Sequence, residues 1–221
     1  MGAFLSPEDH ERVAAAIRAA EARTSGEIYC ILSRRRTAHP EILWLAAAFL
    51  AFLLPMLAIW AGFSPWLLFH GWGETPTAVQ EVAAVLVVQL LTFFLSALLL
   101  WRLRAWEWLT PWRLRALRLH ELAQEQFLAH GLQETQGRTG VLIFASPAER
   151  HAEVVADAGI YARVGSEVWV DAVTALLERA SAGDMAGGFV RAIEICGEVL
   201  AEHFPPCARN PNEISDRLVE I

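Results

Sequence analysis

Six residues of this chain have the types and spacing that could do chemistry: Glu27, Glu149, Arg150, His151, Glu153 and Asp157. Carboxylates ligate hard divalent cations such as Ca2+ or Mg2+, and Glu27, Glu153 and Asp157 are the candidates for that role. Arg150 could hold an anion, His151 could carry a proton, and Glu149 and Asp157 could act as acid or base beside them. Each residue also has a plainer reading. Glu149 and Arg150 could form an ion pair in a turn, His151 could be an exposed strand residue, and Asp157 could be the polar end of a strand before Gly159. No P-loop, Gly-x-Ser-x-Gly, His-Glu-x-x-His or Asp-rich calcium loop accompanies them.

The elements that must position these side chains follow from patterning. Ser6 before Pro7, Glu8 and Asp9 is a helix start, and the helix should run to about Arg23, where Thr24-Ser25-Gly26 stops it. Glu27 then opens Glu27–Leu32, an apolar run that reads as a strand buried on both faces. Val141–Ser146 reads as a second such strand. After the turn Ser146–Arg150, His151–Asp157 alternates so that His151, Glu153, Val155 and Asp157 share one face of a hairpin. Helical spacing covers Trp112–His130, the stretch after Gly165 to about Ala180, and Met185–His203, which Gly183-Asp184 opens and Phe204-Pro205-Pro206 ends. The tail to Ile221 is polar and should lie along the surface.

Between the first strand and the helix at Trp112 stand two apolar runs without a charge, Ile42–Phe63 and Val82–Trp101. Each is longer than the roughly 18 residues at which a membrane span becomes the better reading, and each reaches ~30 Å as a helix. They are expected to form a transmembrane hairpin, with Pro55 inside the first span as a tolerated kink. The chain has no lysine. Arg34, Arg35 and Arg36 precede the first span, Arg102, Arg104, Arg113, Arg115 and Arg118 follow the second, and the loop between holds only Glu74 and Glu81. The positive-inside rule therefore puts both termini in the cytoplasm and the loop outside. Trp44, Trp60, Trp66, Trp72, Trp101, Trp106, Trp108 and Trp112 fit interfacial belts.

Composition agrees. A chain of 221 residues that is 55% hydrophobic and 19% charged is neither wholly membranous nor ordinarily soluble. The parts outside the hairpin suffice for one domain, read as residues 1–36 and 112–206 around an insert at 37–111, with a tail at 207–221. Met1–Arg36 has no apolar core of a signal peptide. Cys30, Cys196 and Cys207 lack paired spacing, which argues for idle thiols in a reducing compartment. The stretch from Leu119 to Ile221 carries 16 acids against 7 arginines, so it repels phosphate and excludes nucleic acid as a partner. A transporter is disfavoured because neither span holds an ionisable residue.

Ser25-Gly26-Glu27-Ile28, Arg138-Thr139-Gly140-Val141-Leu142-Ile143, Glu149-Arg150-His151 with Glu153-Val154, and Gly183-Asp184 resemble the TPM domain. The likeness is to the bacterial branch with two transmembrane helices inside that domain. It implies a three-layer α/β/α fold interrupted by the hairpin, in the bacterial inner membrane. A plant member is associated with acid phosphatase activity and photosystem repair, an animal member modulates a receptor, and most bacterial members have no assigned role. Where the phosphatase-like members place metal-binding aspartates, this chain offers Tyr161-Ala162-Arg163-Val164 and Gly165-Ser166, with no carboxylate until Glu167. The resemblance thus implies a non-catalytic accessory, assembly or stabilising factor of a larger membrane complex or homo-oligomer, with the sheet end near Glu149–Gly159 as its contact surface. The alternative is an acid phosphatase that depends on a divalent cation and works at the inner membrane face.

Overall fold

Ser6 caps the first helix: its hydroxyl accepts from the Asp9 amide while the Asp9 carboxylate reaches back to Ser6 N–H, and helix α1 (Pro7–Glu21) follows. The computed structural model describes residues 5–34, 40–68, 77–206 and 212–221. After α1 come β1 (Glu27–Leu32), α2 (Pro40–Trp60), α3 (Ala78–Arg102), a short α4 (Trp106–Leu109) and α5 (Trp112–Ala129). Then follow β2 (Gly140–Ser146), β3 (His151–Ala156), a one-turn α6 (Ala158–Tyr161), α7 (Val170–Ser181), α8 (Met185–His203) and β4 (Leu218–Glu220). The expectations for Arg35, Arg36, Trp72, Glu74, Cys207 and the Trp106 side chain fall outside the described residues.

Two compact units result, residues 1–37 with 115–221, and residues 38–114. The first is mixed α/β. Its four strands lie in the order β3-β2-β1-β4, with β1 parallel to both β2 and β4 and β3 antiparallel to β2. All of β1 and β2 is buried, which is why both read as apolar runs without alternation. One face presents Ile28, Cys30, Leu32, Val141, Ile143 and Ala145 to a core completed by α1, α7 and α8. The other presents Tyr29, Ile31, Leu142, Phe144 and Val155 to Leu119, Ala123 and Phe127 of α5. Close approaches need glycine at two places. A Cβ on Gly197 would lie 2.8 Å from the Ala20 Cβ where α8 crosses α1, and one on Gly140 would collide with the Leu132 carbonyl at the start of β2.

One correction concerns the tail. Read from sequence as a polar surface segment, its last residues form β4, which pairs Cys30 with Leu218, Ile31 with Val219 and Leu32 with Glu220. Leu218 is buried, and the Glu220 carboxylate accepts from the Leu5 amide and pairs with His10 at 3.2 Å. β4 thereby covers the edge of β1 that would otherwise expose unpaired backbone groups.

The second unit is built on the pair α2 and α3 and also holds the short α4. Both helices are long and apolar enough to cross a membrane, with a mean hydropathy of 2.5 in each. They meet through Leu43, Ala47 and Ala97, where small side chains allow close approach, and the Ser96 hydroxyl donates to the Phe93 carbonyl at 3.0 Å in its own helix. Large apolar side chains point away from that seam: Phe52, Met56, Leu91 and Leu95 are each exposed over more than half their surface. Of the tryptophans, Trp44, Trp60, Trp101, Trp108 and Trp112 are exposed and Trp66 is buried.

Candidate functional site

The six chemistry-bearing residues divide between the two ends of the sheet. In the β2–β3 hairpin, Val141 pairs with Ala156 at one end and Ser146 with His151 at the other. Five strand steps of ~3.4 Å put those ends about 17 Å apart. Glu27 and Asp157 lie at the first end, and Glu149, Arg150, His151 and Glu153 at or near the second. Among the described residues no group of three His, Cys, Asp or Glu is placed to hold a metal ion.

At the first end Asp157 is buried and caps α6: its Oδ1 accepts from the Gly159 amide at 3.0 Å and lies 3.2 Å from Arg138 Nε, while its own amide donates to the Gly140 carbonyl. It is a helix cap and an ion-pair partner together. Glu27 is also buried and accepts from the Ile214 amide at 3.3 Å, and burial pushes its carboxyl above the usual range. Beside it stands a group the sequence reading passed over. Glu21, at the end of α1, accepts from the Ile28 amide at 2.8 Å; burial, joined by the nearby charges of Glu27 and Asp216, pushes its carboxyl up to about 8. Nothing in the sequence marks Glu21, because Asp216 reaches it only when the tail folds back.

At the second end the hairpin turn Pro147–Glu149 leads into Arg150, whose backbone is left-handed at φ 52. Glu149 pairs with Arg115 of α5 at 3.8 Å. Glu153 lies between two imidazoles, 3.1 Å from His120 Nδ1 and 3.7 Å from His151 Nε2. Burial raises its carboxyl, but the two histidines outweigh that and leave it below the ordinary value. His120 was missed because it flanks the apolar stripe of α5 and its partner lies two strands later in the chain. The Ser146 hydroxyl and His151 Nε2 are buried without a hydrogen-bond partner among the described residues.

A cleft of about 560 Å³ opens at this second end. Ser146, Pro147, Arg150 and His151 of the hairpin form one wall, and Leu176, Leu177, Ala180, Ser181 and Met185 of α7 and α8 form the other. It sits beyond the carboxyl end of β2, where open α/β sheets hold their ligands. Ala180 and Ser181 present only small side chains to this space, and α7 then turns on Gly183 at φ 88. Arg150 is exposed here and has no ion pair or hydrogen bond from its side chain among the described residues. Because glycine adopts φ 52 at no steric cost, Arg150→Gly should raise stability by about 0.5–1 kcal/mol, read as a higher denaturation midpoint. A lower midpoint would mean that the guanidinium holds the turn.

No protein-family model matches the chain, and no curated protein matches it. Among solved structures the chain is similar to the BA42 protein of the psychrophilic bacterium Bizionia argentinensis, solved by NMR, at 18% identity and a TM-score of 0.58. That alignment covers 100% of this chain and 97% of the other. At this identity the likeness is one of fold alone.

Proposed function

We propose that the chain is an integral protein of the bacterial inner membrane, in which a hairpin of α2 and α3 anchors a TPM-like three-layer domain on the cytoplasmic side. There the domain works as a non-catalytic accessory, assembly or stabilising factor of a larger membrane complex. The observation that supports the anchored hairpin is covalent. β1, before the apolar pair, and β2, after it, are neighbours in one sheet, so both ends of the insert must return to one folded domain. A membrane hairpin satisfies that requirement and also accounts for the large side chains that α2 and α3 leave uncovered. The arginines flanking the pair favour the cytoplasmic side.

The rival reading, a phosphatase dependent on a divalent cation, draws less support. Its carboxylates stand at opposite ends of the sheet, and the buried Asp157 is occupied by the Gly159 amide and Arg138. The test is purification in mild detergent with mass spectrometry of what co-purifies. The accessory reading expects a stable complex without turnover of a generic phosphomonoester. Hydrolysis that is lost on Asp157→Asn would overturn it in favour of the enzyme.

A further inference from the structure

We propose that the cleft between the β2–β3 turn and the α7–α8 helices binds a small amphiphilic monocarboxylate, its carboxylate on Arg150 and its apolar chain against Leu176, Leu177 and Met185. Three observations converge on that chemistry. The cleft holds about 560 Å³, within the range of small-molecule sites. Its helical wall is apolar apart from Ser181, whose hydroxyl already donates to the Glu178 carbonyl. Its exposed charge is a guanidinium with no partner from the described residues.

Arg138 offers the contrast. It shares the left-handed backbone of Arg150, but its guanidinium is matched within the chain by Asp157. Arg150 accepts the same backbone cost with its charge left open to the cleft. A guanidinium presents a planar fork of donors that a carboxylate meets with two parallel hydrogen bonds. The charge count favours one negative charge over two, because Arg150 is the single arginine in the cleft lining and Glu149 is matched by Arg115, so a phosphate dianion would be left half compensated. Ser146 and His151 also line the cleft, but Ser146 Oγ and His151 Nε2 are buried and are not assigned to the ligand.

The chain carries three methionines, which gives a direct readout: Met185 lines the cleft and Met56 is exposed on α2. The full chain, labelled with 13C at the methionine methyls and held in nanodiscs, is titrated with decanoate, decanol and decyl phosphate. Decanoate should shift the Met185 signal saturably, and partition into lipid should show instead at Met56. Decanol and decyl phosphate should bind Met185 at least several-fold more weakly than decanoate. Arg150→Gln should weaken decanoate about tenfold or more. Arg150→Gly, which relieves the backbone, should fold and yet lose binding equally, so that loss of fold is not mistaken for loss of the site. A Met185 signal indifferent to decanoate, equal binding of decanol, tighter binding of decyl phosphate, or unchanged affinity in both Arg150 variants would overturn the proposal. The Met56 control depends on the membrane reading, but the Met185 readout does not, since Met185 reports the cleft whether or not α2 and α3 are in lipid.

Discussion

Glu21→Gln should make the protein more stable at pH 9 by several kcal/mol, while changing it little at pH 4. The ordinary carboxyl value is 4.5 and the folded value is about 8, so between these the unfolded chain releases a proton that the folded chain keeps. The contribution is fully present below 4.5, falls as pH rises, and is gone above about 8. A displacement of that size corresponds to roughly 5 kcal/mol. Glutamine stays neutral throughout and keeps an oxygen to accept from the Ile28 amide. Denaturation midpoints from pH 4 to pH 9 should therefore decline in the native chain between pH 5 and 8 and flatten in the variant. Parallel curves would mean that Glu21 is not held protonated. The same titration should loosen the tail, because ionised Glu21 repels Glu27 and Asp216, and the Ile214 amide rests on Glu27.

Asp157→Ala should cost about 2–3 kcal/mol. It removes the cap of α6 at the Gly159 amide and the pairing with Arg138 in a buried place. Asp157→Asn, which still caps, should cost about half as much. Chemical denaturation of the three proteins separates the cases. An alanine variant as stable as the parent would remove the structural role and return Asp157 to the list of chemical groups.

Much of the fold could be read from the chain because its signals are local. The Ser6–Asp9 cap, the uninterrupted apolar runs of β1 and β2, and the charge-free stretches of α2 and α3 each announce themselves within a few residues. β4 could not be read. Leu218–Glu220 is three residues in a polar tail, and it becomes a strand only because β1, nearly two hundred positions earlier, offers an edge. The candidate site suffered from a related blindness. Alternation put His151, Glu153, Val155 and Asp157 on one face of a strand, but β3 ends at Ala156, Asp157 caps α6 beyond it, and the strand's length separates Asp157 from His151. Glu21 and His120 stayed hidden for the same reason as β4: their partners, Asp216 and Glu153, come near only after folding. The cleft depends on how far α7 and α8 stand from the hairpin, a tertiary distance that no window of sequence contains.

The membrane account is tested most directly by cysteine labelling in sealed bacterial cells stripped of their outer membrane. With Cys207 replaced by serine and Cys30 and Cys196 buried, single cysteines at Arg12, Thr77 and Glu202 are offered a reagent that cannot cross the membrane. The account predicts that Thr77→Cys reacts in sealed cells lacking the outer membrane, and that Arg12→Cys and Glu202→Cys react only after lysis. Labelling of Thr77→Cys from the same side as the other two, or recovery of the whole chain from the soluble fraction without detergent, would contradict it.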